Sequence, residues 1–147
     1  MSDQNSDVTA LLTTYSAAAY AKDVDLFMTS YADDVRVFDL WGSWLITGAA
    51  TWRESIAGWF GSLGDERVIV DFEDIEIAVG GDLAALNGLV QYSAESTSGE
   101  RLRQMTNRIT WTLARRNGAW LITHEHTSAP VDEATGKVIL SHSTAPR

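Results

Sequence analysis

Asp39 has the setting in this chain that best suits acid–base chemistry. It closes a short alternating stretch, and Trp41, Trp44 and Trp52 follow it closely. A carboxylate walled in by indole rings loses hydration, which raises its pKa toward the range a general base needs near neutrality. The competing reading is a strand-end aspartate that accepts backbone hydrogen bonds near Gly42. His124-Glu125-His126 is the second candidate. Alternate residues of a strand share a face, so the two imidazoles project together and Glu125 projects oppositely. Two imidazoles need a further ligand to hold a metal, and none stands at a recognisable spacing, so no metal is expected. They serve equally as a hydrogen-bonded pair beside Arg108, Thr110 and Ser128, structural or at a dimer contact. Arg108 either clamps a substrate carboxylate or enolate, or forms an ion pair with Glu125 or Asp39.

Six tryptophans are present, four of them (Trp41, Trp44, Trp52 and Trp59) within nineteen positions. They build either a large aromatic core or a flat-walled pocket for a ring-bearing ligand. Trp52 and Trp59 lie seven apart on one helical face, which favours core. Trp41 and Trp44, near a turn, suit a pocket mouth. No glycine-rich phosphate cradle occurs, and Gly48, Gly80 and Gly81 read as turn residues, so no cofactor is expected. Nothing supports a Ser-His-Asp triad.

The 147 residues fit one domain. Acidic residues outnumber basic ones, 20 to 11, which disfavours nucleic acid and anionic membranes as partners. The absence of cysteine removes disulfides and thiolate chemistry. No apolar run approaches the roughly 18–20 residues that span a bilayer, and the N-terminus lacks a signal-peptide pattern. A cytoplasmic protein is the expectation.

Several elements must position these groups. Val8, Leu11, Leu12, Tyr15, Ala18 and Ala19 recur at helical spacing, with Ser6 or Asp7 as cap. A second helix is predicted over 24–31. After Asp33-Asp34 the period becomes alternating, with Val35, Val37 and Asp39 on one side and Arg36, Phe38 and Leu40 on the other. A turn and a short strand lead to a helix over 49–63. Four long strands follow, over 68–79, 83–94, 102–115 and 119–128, and 138–140 offers a last one. Residues 1–130 form the domain and 131–147 a tail. This order predicts an α+β cone: three N-terminal helices on a strongly curved, mixed but mainly antiparallel sheet, with a pocket between them.

The strings at 31–39, Gly48 before a helix, and the closing segment 118–130 resemble the nuclear transport factor 2-like superfamily, which includes SnoaL-like proteins and ketosteroid isomerase. The closing segment is also similar to the association domain of calcium/calmodulin-dependent protein kinase. The resemblance covers about residues 8–130 and implies a small-molecule pocket protein. It would be either a cofactor-free isomerase, dehydratase or cyclase acting on an apolar or aromatic metabolite, or a non-catalytic ligand-binding or oligomerisation domain. A homodimer through the outer sheet face is also implied. Tyr15 and Asp39 stand 24 residues apart, matching the isomerase tyrosine-to-aspartate spacing, which implies Asp39 as acid/base with Tyr15 orienting the ligand. The isomerase's second oxyanion donor is an acid; Thr110 falls near that position, and no acid occurs in 102–114.

The last hairpin has two registers. A two-residue Asn117-Gly118 turn pairs Trp111 with His124 and Arg108 with Thr127. A glycine bulge slips this by one, so that Arg108 meets His126 and Ile109 meets Glu125, and every side chain changes face. In the bulged version Arg108, Thr110, Ile122, His124, His126 and Ser128 share one face. Met105, Asn107, Ile109, Trp111, Thr123, Glu125 and Thr127 share the other. The association-domain resemblance favours the second set lining the cavity. The expected ligand contacts are then Trp41, Trp44, Trp52, Arg108, Trp111, Glu125 and Thr127.

Overall fold

The computed structural model describes residues 3–142. The helices are α1 (Asp3–Ala21), α2 (Val24–Met28) and α3 (Ala49–Ser62), with β1 (Tyr31–Phe38) and β2 (Ile46–Thr47) between α2 and α3. Then come β3 (Arg67–Gly80), β4 (Leu83–Glu95), β5 (Arg101–Arg116) and β6 (Ala119–Ser128). One six-stranded sheet runs β2-β1-β6-β5-β4-β3, with β1 and β6 its parallel pair. This is the α+β cone expected from the order of periodicities.

Helix α1 buries Val8, Leu12, Tyr15, Ala18 and Ala19 against the sheet. It begins at Asp3, so neither Ser6 nor Asp7 caps it; no proline or glycine interrupts the first turn. Its end is a Schellman closure, with Asp23 N–H donating to Ala18 O and Lys22 N–H to Ala19 O. Lys22 takes the left-handed conformation there, at φ 55°, and its ammonium group donates to Gly64 O and Glu66 O. Asp23 then caps α2 by accepting from Leu26 N–H. That helix stops at Met28, short of the predicted 31, and Tyr31 opens β1. Along β1 the predicted alternation holds at its C-terminal half: Val35 and Val37 are fully buried and Arg36 is exposed.

Curvature comes from two irregularities. In β3 the register shifts between Glu73 and Glu76, with Asp74 at φ 54°. Gly88 on β4 faces that bulge, and a Cβ there would meet the carbonyl oxygens of Glu73 and Asp74 at 2.9 Å. Only glycine lets the strands approach, and the bulge bends the sheet around α1.

The second irregularity corrects both predicted hairpin registers. Next to the turn, Arg115 pairs with Trp120 and Leu113 with Ile122, as a two-residue Asn117-Gly118 loop requires. Thr123 is then an extra residue, its hydroxyl donating to Thr112 O, and beyond it Trp111 pairs with Glu125, Thr110 with His126 and Arg108 with Ser128. The slip runs opposite to the predicted glycine bulge but produces the same parity there. Glu125 and Thr127 face inward with Trp111, Ile109 and Asn107, whereas His124 and His126 face outward. Ile122 is also fully buried, because the bulge reverses the phase between Ile122 and Glu125.

After β6, Asp132 nucleates a turn by accepting from Ala134 N–H and Thr135 N–H. Val131 and Val138 form an isolated bridge, and Thr106 N–H donates to Leu140 O. The predicted last strand is reduced to these contacts; residues beyond 142 lie outside the described region.

Candidate functional site

A cavity of about 450 Å³ opens between α1, α3 and the concave face of β4–β6. Helix α3 supplies its apolar wall through Trp52, Ile56 and Trp59, with Leu63 from its C-cap. Strand-facing parity brings Tyr92, Asn107, Glu125 and Thr127 from the sheet, and α1 brings Tyr15. Asp39 and Trp41 reach the mouth from the segment after β1.

Glu125 is the most enclosed carboxyl, with 1% of its surface exposed. Its Oε1 accepts from the Tyr31 hydroxyl at 2.5 Å and from Trp111 Nε1–H at 2.9 Å. Both donors favour the anion, yet burial outweighs them and, with a smaller push from Asp39, raises the pKa from 4.5 to about 7. Near neutrality this group therefore divides between its two protonation states. Tyr31 is driven well above the usual phenol range by burial and the Glu125 charge.

Asp39 is half-buried at the rim. Thr127 Oγ1–H donates to its Oδ1 at 3.1 Å, and Leu40 N–H donates in turn to Thr127 Oγ1 at 2.9 Å. Burial raises its pKa, while Thr127 and the backbone N–H groups of Trp41 and Leu40 pull it down. Both sequence readings meet here: the aspartate is partly desolvated, and backbone donors near Gly42 do hold it.

Tyr15 and Tyr92 hydroxyls lie 2.7 Å apart, a pair in which one donates and the other keeps its hydrogen for a ligand. Burial raises both phenols. Rings of Phe27, Phe72 and Trp111 pack against Tyr15 and fix its position. Among the described residues, two buried polar atoms of the lining lack a well-aligned hydrogen bond: Asn107 Oδ1, and Trp52 Nε1, which lies near enough to the Tyr31 hydroxyl to favour its anion.

Six of the expected residues therefore meet at one cavity: Tyr15, Asp39, Trp41, Trp52, Glu125 and Thr127. Trp111 is fully buried and acts through its bond to Glu125. Two expectations are corrected. Trp44 is 97% exposed and does not line the cavity, since it sits on the loop between β1 and β2 with its ring in solvent. Arg108 is exposed on the outer sheet face, because its register partner is Ser128 and inward positions are odd-numbered there. It pairs with neither Glu125 nor Asp39. Thr110 shares that outer face, and the buried acid of this sheet is Glu125, on β6 opposite Trp111.

Tyr92 was not singled out by sequence, whereas Asn107 stood in the set expected to line the cavity. Their signal was parity alone: Val90, Tyr92 and Ala94 alternate inward on β4, and Asn107, Ile109 and Trp111 on β5. On the convex side, His124 Nδ1 lies 2.8 Å from Arg36 O, and Phe38 packs edge-on against both His124 and His126. Among the described residues, no group of three or more His, Asp or Glu side chains is placed to hold a metal ion. Nor is any helix long and apolar enough to cross a membrane.

A nuclear transport factor 2-like protein of unknown function from Pseudomonas putida superposes with a TM-score of 0.83 at 23% identity, over 97% of this chain and 99% of that one. A Xanthomonas campestris protein described as a calcium/calmodulin-dependent protein kinase II association domain gives 0.70 at 18%, over 84% and 85%. One from Novosphingobium aromaticivorans, described as an aromatic ring hydroxylase, gives 0.65 at 18%, over 83% and 85%. At these identities the likeness is one of fold. No curated protein matches the chain. The family model for the SnoaL-like domain matches residues 8–132, almost the whole cone, and the chain belongs to that family.

Proposed function

We propose that the cavity binds a small apolar or aromatic molecule and transfers a proton within it without a cofactor, as in an isomerisation, dehydration or cyclisation. The observation that carries this reading is the pair of carboxyl groups facing one aromatic cavity from unequal environments, Asp39 at the rim and Glu125 at the floor. Groups whose surroundings separate their proton affinities are suited to divide the roles of base and acid. Asp39, reachable and held by backbone donors, takes the proton. The Tyr15–Tyr92 pair offers a hydroxyl hydrogen to the oxygen on which charge develops. Glu125 sets the field beneath them and holds Tyr31.

A second reading is a non-catalytic binding or oligomerisation domain. The donors already bonded to both carboxyls and the fold shared with the Xanthomonas association domain support it. A homodimer through the convex sheet face, where Phe38, His124 and His126 cluster, is compatible with both readings. Native mass spectrometry of the purified protein identifies any co-purifying small molecule, and Asp39→Asn then separates the readings. A loss of turnover far larger than any loss of ligand affinity supports the enzyme; turnover unaffected by the substitution removes Asp39 from the chemistry, and no turnover in the wild type supports the binding domain.

A further inference from the structure

The charge inventory of the cavity is weighted to one sign. Asp39 and Glu125 both line it. Among the described residues the one cationic side chain of the lining is Arg103, at the open end, and its guanidinium is already occupied by Glu66 at 2.7 Å. The walls are electron-rich aromatic faces: Trp41, Trp52, Trp59, Tyr15 and Tyr92. Asn107 is 5% exposed, and its Oδ1, a further acceptor, is buried without a partner. The other orphan, Trp52 Nε1, acts on the Tyr31 hydroxyl, whose anion it favours, and so belongs with the Glu125 cluster.

Two carboxyl groups, a free amide oxygen and a ring of indoles and phenols recognise a cation attached to an apolar body. An anionic ligand would meet both carboxyls with no cation free to balance it. We infer that the cavity is selective for an aromatic or apolar amine in its protonated form, over the neutral and anionic molecules of the same shape. This rests on the pocket reading above and narrows its ligand class. The ammonium would lie against Asp39, within the field of Asn107 Oδ1 and Glu125, while its apolar body lies against α3.

Binding such a cation favours the ionised carboxyls, so protons leave the cavity when the ligand enters at pH values where Glu125 is still protonated. The groups facing Glu125 are Tyr31 and Asp39 from β1 and its C-terminal extension, Tyr15 from α1, Tyr92 from β4 and Trp111 from β5. None of these is cationic, so nothing in that shell competes with the ligand.

The test uses three probes with one aromatic frame: phenethylammonium, phenethyl alcohol and 3-phenylpropanoate, titrated into the full chain and followed by protein-observed NMR. Phenethylammonium is expected to bind about tenfold more tightly than the alcohol at pH 8, with the anion weakest. Its affinity should rise between pH 6 and pH 8, where the alcohol's stays flat. Asp39→Asn should shrink the preference, and Glu125→Gln should flatten its pH dependence. If Glu125→Gln does not fold, Asp39→Asn and the wild-type pH series suffice. Alcohol binding as tightly as ammonium at pH 8 overturns the cation inference while leaving the pocket reading intact. No probe shifting any lining resonance overturns the pocket reading itself, and this inference falls with it.

Discussion

Glu125 on the cavity floor and Asp39 at its mouth are both carboxyls drawn partly out of water, but their partners differ in kind. The floor acid is bonded by rigid, buried side chains, Tyr31 and Trp111, from two neighbouring strands. The mouth acid is bonded by a threonine hydroxyl and by backbone N–H groups of the segment that carries it. Side-chain donors set deep in a sheet cannot follow a reacting group, whereas a rim carboxylate beside open space can reach one. In the function proposed, the floor then serves electrostatics and the mouth proton movement.

Several substitutions would sharpen or break this division. The largest effect expected is at the mouth: Asp39→Asn should lower turnover by roughly 100- to 10,000-fold on the identified substrate, with ligand affinity falling by no more than about tenfold. Equal losses in binding and turnover would return Asp39 to a structural role. Next is the wall between floor and mouth. Trp52→Ala removes a large buried ring from the core and should cost about 3–5 kcal/mol in urea unfolding. Glu125→Gln should act through pH. A carboxyl whose folded pKa of about 7 exceeds its ordinary 4.5 binds more protons folded than unfolded between those values. Stability is therefore lost as pH rises through that window. The wild type should lose about 2–3 kcal/mol more than Glu125→Gln between pH 5 and pH 8. The smallest effects are expected on the surface: Trp44→Ala and Arg108→Ala should each change stability by less than about 0.5 kcal/mol. Arg108→Ala should also leave ligand affinity unchanged; a clear loss would put Arg108 back in the site.

The order of elements was legible because two periodicities, 3.6 in the helices and 2 in the strands, change at identifiable residues such as Asp33 and Gly48. Asp39 was legible for the same reason, since it continues the inward parity of Val35 and Val37, and Trp41 because it stands beside a turn. Thr123 was not. A bulge costs one residue of ladder and leaves no mark in composition, yet it decides which of His124 and Glu125 faces the cavity. The isomerase resemblance directed attention to β5 for a second acid, while the buried acid stands on β6, one strand away. Trp44 misled because residue type predicts burial only where a packing surface exists, and the loop between β1 and β2 provides none for it.

Glu125 is expected to exchange its proton near neutrality on the buried floor of the cavity. Carbon-13 NMR of side-chain carboxyls, assigned by comparison with Glu125→Gln, measures this directly. One glutamate is expected to titrate with a midpoint near 7, and that titration should be absent in the variant. Every glutamate titrating within about one unit of its ordinary value would contradict it.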